Sequence, residues 1–126
     1  MVRFMSQEAK HLDAGKLGLQ YILAMPGLCS VAAVGDFGAK KYGQFNYKAG
    51  MPWMKLLGSC TRHLAAFLRG EDMDQCQSHC IILPNGDCER MEHSHLPHLA
   101  HLVYDSLMLL DYSINHKELD DRFKGI

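Results

Sequence analysis

The chain has 126 residues, 48% of them hydrophobic and 21% charged, a length and balance that fit one globular domain and argue against intrinsic disorder or a repeat array. Its 13 basic and 14 acidic residues leave a net charge of -1, whereas a protein that wraps nucleic acid carries a clear basic excess. The 8 His, 5 Cys and 8 Met instead raise metal-ligand chemistry before any motif is read.

Residues 1–16 read as a polar arm closing on the turn-like run Asp13-Ala14-Gly15-Lys16. Residues 1–10 lack the apolar stretch of a signal peptide. The longest apolar run, 102–110, is broken by Asp105 and falls far short of the ~20 residues that span a bilayer. The expectation is a cytoplasmic protein with neither membrane nor nucleic acid as partner. Thiols stay reduced in that compartment, so clustered cysteines read as a metal site before disulfides.

Residues 17–23 are apolar but mixed in period, and Pro26-Gly27 punctuates them. A helix is expected over 28–41, with Ala32, Ala33, Gly35, Gly38 and Ala39 on a small-residue side that points to close approach of a helix or ligand. Gly43 stops it, and a loop follows over 44–51. Pro52 suits a helix start. Trp53, Leu56, Leu57, Cys60, Leu64, Phe67 and Leu68 then mark one apolar face of a helix over 52–69, with Gly70 as its cap.

Residues 71–97 are polar and rich in Cys and His, and Pro84-Asn85-Gly86 predicts a turn joining two short strands, 81–83 and 88–90. A third clear helix is expected over 97–112. Leu99, Leu102, Val103, Leu107, Leu109 and Leu110 supply its apolar face. The charged tail, 113–126, offers one more helix around 117–123. Cys29 and Cys60 lie on apolar faces and read as core residues.

Three constellations carry chemistry. Glu71, Asp72 and Asp74 follow one helix, while His98, His101 and Asp105 share a face of the next at i, i+3 and i+7. Oxygen donors converging from two helices suit Mg²⁺ or Mn²⁺, and the His/Asp set suits Mn, Zn or Fe. The alternative is a solvated helix end with ordinary surface histidines. Arg62-His63 on the preceding helix adds a cation and an acid or base.

The second is Cys76-x3-Cys80-x7-Cys88-x4-His93-x-His95, with His79 inside the first spacing. Zinc takes four thiolate or imidazole ligands in a tetrahedron. Cys76, Cys80, Cys88 and one of His79, His93 or His95 would supply them, with His93 carried in the expected set. Unligated surface thiols are the alternative. The third is Gly38-Ala39-Lys40-Lys41-Tyr42-Gly43 with Asn46, Tyr47 and Lys48 beyond it. Lysines beside glycines can hold phosphate, and Tyr or Asn can read a base or ribose. No Gly-x4-Gly-Lys-Ser/Thr run exists here, so this is not a Walker A loop. A charged helix end is the bland alternative.

Taken together, Lys10-x-x-Asp13-x-Gly15-Lys16, Phe37-Gly38-Ala39-Lys40-Lys41-Tyr42-Gly43, Asn46-Tyr47-x-x-Gly50, Arg62-His63-Leu64, Gly70-Glu71-Asp72-x-Asp74 and His95-Leu96-Pro97-His98-Leu99-Ala100-His101 resemble one family. It is the phage-borne dATP/dGTP diphosphohydrolase family, related to the MazZ and MazG all-α nucleotide pyrophosphohydrolases, and the resemblance covers about residues 10–113. It implies a single domain over 1–126 with an all-α, MazG-like helical bundle and a small Cys/His-rich inserted hairpin at about 75–95. It also implies divalent-metal-dependent hydrolysis of a purine deoxynucleoside triphosphate, dGTP and/or dATP, to monophosphate and pyrophosphate.

By position, the resemblance gives Glu71, Asp72 and Asp74 metal- or water-positioning roles, and places His98, His101 and Asp105 on a second metal-binding helix. Glu71, Asp72, His63 and His98 become the catalytic set. Lys16, Lys40 and Arg62 suit phosphate, and Tyr42, Asn46 and Tyr47 the nucleoside. The cofactor it implies is Mg²⁺ or Mn²⁺; the expectation of a structural Zn²⁺ attaches to the inserted residues alone, and nothing in the resemblance requires it. Three departures stand out: Gly18-Leu19-Gln20-Tyr21 replaces an Arg-Leu-Asp-Leu run, Tyr47 replaces a Trp, and residues 75–94 replace a short link to which Glu92 corresponds.

A second class of reading is a non-enzymatic zinc-binding interaction module. An HD-type phosphohydrolase is disfavoured because no adjacent His-Asp pair occurs. Apolar faces long for so small a chain predict a homo-oligomer, dimer or tetramer, as MazG-like relatives form.

Overall fold

The computed structural model describes residues 15–76 and 80–123. The expectations placed on residues 1–14, including Lys10 and Asp13, and on His79 lie outside the described residues. The described residues hold four α-helices and two short 3-10 helices joined by irregular segments, with no strand among them. The helices are α1 (Leu19–Leu23), α2 (Gly27–Tyr42), α3 (Trp53–Leu68) and α4 (His98–Asn115), and the 3-10 helices are Asn46–Ala49 and Lys117–Leu119.

The punctuation residues set the helix ends. Pro26, Pro52 and Pro97 each stand just before a helix. Gly70, at φ 92°, closes α3: its N–H donates to the Phe67 carbonyl (3.0 Å) and the Glu71 N–H to Ala66 (3.0 Å). This paired closure needs a left-handed residue and so favours glycine.

Helix α4 is the spine, with α2 and α3 each packed against it. One apolar cluster joins Val31, Val34 and Ala100, flanked by Leu96 and Tyr104. The other joins Trp53, Leu56 and Tyr112, flanked by Tyr47, Met51, Met108, Leu109 and Leu119. At Gly35 an added Cβ would lie 3.1 Å from the Tyr104 ring, so the small side of α2 does admit α4 closely.

The face of α4 that turns inward is its polar one. His98, His101 and Asp105 are buried, while Leu99, Val103, Leu107 and Leu110 are exposed. Of the apolar face expected to enter the core, Leu99, Val103, Leu107 and Leu110 therefore face outward while Leu109 packs against the Trp53 cluster, because the His98, His101 and Asp105 side of α4 borders a cavity. Three other expectations change. The paired strands reduce to one bridge, Ile82 with Cys88, since Met91 takes a left-handed φ of 52° and turns the chain away. The tail helix stops at Leu119, because the acids beyond it bond elsewhere. Asp120 holds Arg122 (2.9 Å), and Asp121 accepts the Met54 N–H (2.8 Å) at the start of α3. Cys29 is exposed rather than in the core, whereas Cys60 is half-buried.

Candidate active site

A cavity of about 690 Å³ opens between α2, the 46–49 turn, α3 and α4, a size that accommodates a small-molecule ligand. From α2 it takes Gly35, Phe37, Gly38, Ala39, Lys41 and Tyr42. From the following turn come Phe45, Asn46 and Tyr47. Helix α3 contributes Lys55, Ser59, Arg62 and His63, four positions on one face at steps of four, three and one. Helix α4 contributes His98, His101, Tyr104 and Asp105, and the irregular 71–97 segment adds Asp74 and Glu92.

Three imidazoles meet where α3 crosses α4. His63 Nδ1 lies 2.9 Å from His98 Nδ1, and the His63 ring stacks on His101 at 4.4 Å, tilted by 8°. Burial, and then the repulsion of the His101 and His98 rings, push the His63 imidazole down to about 4. Burial also lowers His101, against the attraction of Asp74. Both rings are thus neutral at pH 7 and able to accept a proton.

Two of the three carboxylates on the cavity wall, Asp105 and Asp74, are each held by a serine. Ser59 Oγ donates to Asp105 Oδ2 (2.7 Å), and burial raises the Asp105 carboxyl above its ordinary value. Ser94 donates to Asp74 Oδ2 from its backbone N–H (2.8 Å) and its hydroxyl (3.1 Å). The same hydroxyl is bonded to His101 Nε2. A hydroxyl has one proton, so with that proton on Asp74 the His101 Nε2–H donates to Ser94.

The structure brings Asp74, His63, His98, His101, Asp105, Arg62, Tyr42, Asn46 and Tyr47 to this one cavity. It places Lys16, Lys40, Glu71 and Asp72 off its wall, all exposed. Glu71 lies 3.8 Å from Arg69, and the Asp72 carbonyl accepts the His98 N–H (2.9 Å). Lysines 40 and 41 are adjacent in the sequence, yet Lys41 faces the cavity and Lys40 does not, because one helical step turns a side chain by about 100°. Lys55, Ser59, Ser94 and Tyr104 have no counterpart among the expected site residues. The i, i+4, i+7 spacing of Lys55, Ser59 and Arg62 was their readable signal.

A separate group forms at the surface. One ligand atom from each of Cys76, Cys80, Cys88 and His93 lies within 4.8 Å of all the others, the single such group of metal-ligand side chains among the described residues. His93 thus joins the three cysteines, while His95 Nε2 approaches Cys76 Sγ at 3.1 Å. Burial pushes the Cys88 thiol up, but the Glu92 amide, His93, the Arg90 amide and Cys80 outweigh it and hold it at about 7. Burial and the neighbouring thiols, Cys88 foremost, push Cys76 up to about 11. This group can hold a metal ion.

No described helix is long and apolar enough to cross a membrane. No curated protein and no solved structure matches the chain. The family described as dATP/dGTP diphosphohydrolase, N-terminal, matches residues 6–122, which takes in every helix and every wall of the cavity. The chain belongs to the dATP/dGTP diphosphohydrolase family and is an enzyme of that family, acting on a nucleotide.

Proposed function

We propose that this chain hydrolyses a purine deoxynucleoside triphosphate, dGTP and/or dATP, to the monophosphate and pyrophosphate with Mg²⁺ or Mn²⁺. The observation that carries the reading is the cavity wall itself. It sets Lys41, Lys55 and Arg62 beside two serine-held carboxylates and three imidazoles, a charge pattern matched to a polyphosphate.

The donor chemistry suits a divalent ion, with the carboxylates and imidazoles spread along the wall rather than gathered into one ligand group as the Cys/His set is. Asp74, Asp105 and Glu92 offer carboxylate oxygens to one cavity, as a hard cation requires. The adjoining His101 extends the fit to Mn²⁺. Asp74, Asp105 and His101 would hold the ion, with Glu71 and Asp72 as the acids of the segment leading into Asp74, while His98 Nδ1 accepts the His63 Nδ1–H and leaves His63 Nε2 free. When bound, such an ion neutralises phosphate charge and lowers the pKa of the attacking water.

The chain's own residues do the rest. Lys41, Lys55 and Arg62 neutralise and orient the triphosphate, with Lys16 and Lys40 as outer cations. Tyr42, Asn46 and Tyr47 receive the nucleoside. Neutral His63, oriented by its bond to His98, accepts a proton from the water that attacks the α-phosphorus. The bond from that phosphorus to the bridging oxygen breaks, and pyrophosphate leaves.

The catalytic unit of this reading is a homo-oligomer, dimer or tetramer. Leu99, Val103, Leu107, Leu110 and Ile114 form an exposed apolar stripe along α4, and a second copy of the chain would cover it.

The test is incubation with each deoxynucleoside triphosphate and Mn²⁺ or Mg²⁺, followed by phosphorus NMR. Monophosphate and pyrophosphate from dGTP or dATP support the reading. Release of triphosphate, or no turnover of any nucleotide, overturns it. The latter result with one zinc bound per chain would favour a non-enzymatic zinc-binding module, which the Cys/His group also fits.

A further inference from the structure

The segment between Cys76 and His93 is organised around sulfur rather than hydrocarbon. Cys88 is 3% exposed, whereas Ile81, Ile82 and Leu83 on the facing limb of the same turn are 63%, 51% and 38% exposed. Neither apolar cluster includes a described residue of this segment. A turn of some twenty residues that buries a thiol and exposes its isoleucines lacks a hydrophobic reason for its shape.

The backbone over 81–91 is nonetheless closely specified. Leu83 N–H donates to the Asp87 carbonyl (2.8 Å), Glu89 to Ile81 (2.8 Å) and Met91 to Cys88 (2.8 Å). Asn85 Oδ1 accepts the Asp87 N–H (3.0 Å). The turn brings Cys80 to Cys88, and the left-handed backbone at Met91 then carries His93 back to both, with His93 Nδ1 3.4 Å from Cys80 Sγ.

We propose that Cys76, Cys80, Cys88 and His93 are the four ligands of a closed structural zinc site that fixes the 76–93 segment against the nucleotide cavity. Tetrahedral ligands at zinc distances stand about 3.3–3.8 Å apart, so donors already within 4.8 Å need only a small contraction. Three thiolates and one imidazole select zinc over hard cations, and four protein ligands leave no position for substrate. His95 Nε2, 3.1 Å from Cys76 Sγ, donates its N–H to that thiolate, the outer-shell bond a metal-bound sulfur attracts.

The site is placed to act on the cavity at two points. Cys76 is two residues from Asp74, and His93 lies between Glu92 and Ser94. Asp74 and Glu92 line the cavity, and Ser94 joins Asp74 to His101. The zinc ligands are positioning residues for these three. Only this last step rests on the nucleotide-hydrolase reading, because metal content is measured without turnover.

The experiment is metal analysis of the purified full-length chain, with Co²⁺ exchange as a spectroscopic probe. The expected result is one zinc per chain, and after exchange the intense visible bands and sulfur charge-transfer absorption of tetrahedral Co²⁺. Cys88→Ser and His93→Ala drop to below a tenth of an equivalent, while Cys29→Ser and Cys60→Ser keep the full equivalent. Trypsin provides a readout that needs no folded variant: stripping zinc with a chelator speeds cleavage after Arg90 at least tenfold, and added zinc restores protection. A folded wild-type chain that takes up no zinc, a Cys76–Cys80 disulfide in its place, or equal cleavage rates with and without zinc would overturn the proposal.

Discussion

His63 Nδ1 and His98 Nδ1 sit 2.9 Å apart across the α3–α4 crossing, so the two nitrogens share one hydrogen-bonding proton. A second proton there would set two N–H groups against each other beside the stacked His101. The contact works with His63 neutral, which gives it a defined acid limit.

That limit is measurable as stability. His63 is lowered from 6.5 to about 4 by burial and its neighbouring histidines, and the unfolded chain binds the extra proton between those values. The stabilisation is therefore complete above about pH 6.5 and lost as pH falls towards 4. His101, lowered by burial, acts in the same direction. Allowing for partial exposure, the loss is on the order of 1–2 kcal/mol, read as a falling urea midpoint between pH 7 and pH 4.5. His63→Asn flattens that slope; an equally steep slope in the variant would assign it elsewhere.

Asp105 sets stability against activity. Its carboxyl is raised by burial and held by Ser59, so Asp105→Asn keeps a hydrogen-bond acceptor while removing a buried charge. The variant is expected to gain up to about 1 kcal/mol in metal-free buffer and to lose at least about 100-fold in turnover. Mn²⁺ raises the wild-type melting temperature and leaves that of the variant unchanged. Equal shifts in both proteins would remove Asp105 from the ion's ligands.

Tyr112, the largest fully buried side chain, donates its hydroxyl to the Tyr47 carbonyl (2.8 Å). Tyr112→Phe removes that bond and leaves the carbonyl to the Gly50 N–H alone (3.0 Å), at a cost of about 1 kcal/mol. Because Tyr47 lines the cavity, the variant raises KM for the nucleotide more than it lowers kcat. A fall in kcat at unchanged KM would place Tyr47 away from the nucleoside.

The cations differ in their facing. Lys41 and Arg62 line the cavity and Lys40 does not. Lys41→Ala and Arg62→Ala each raise KM by about tenfold, on the order of 1.4 kcal/mol, with a smaller rise for Lys40→Ala. Steady-state kinetics at fixed ionic strength checks the order; a larger effect at Lys40 would reverse the assignment of the two lysines.

The exposed stripe of α4 is tested by charge. Leu107→Lys with Ile114→Lys shifts the protein from an oligomer to the monomer mass in gel filtration coupled to light scattering. A wild-type protein already at monomer mass removes the oligomer from the reading.

Helix existence and the His98, His101, Asp105 face were legible in the sequence because both follow from local spacing and from proline and glycine positions. The helix boundaries at Trp53 and His98 fall beside prolines for that reason. Which face of α4 turns inward was not legible: hydrophobicity favours the leucines, and only the presence of a polar cavity reverses the choice. Ser94 was equally hidden, since its bonds to Asp74 and His101 depend on an irregular segment folding back. The four zinc-type ligands, His93 included, were readable as a set, and the left-handed turn at Met91 is what carries His93 back to Cys80 and Cys88.

The two apolar clusters also meet at the cavity. Val34 and Tyr104 belong to one, Leu56, Tyr47, Met51 and Met108 to the other, and all six border the same space. A nucleotide seated there touches both halves of the domain at once. Its affinity then measures the separation of α2 and α3 along α4, and recognition and folding draw on common contacts. Substitutions that loosen either half should register first as weaker substrate binding, well before the helices themselves are lost.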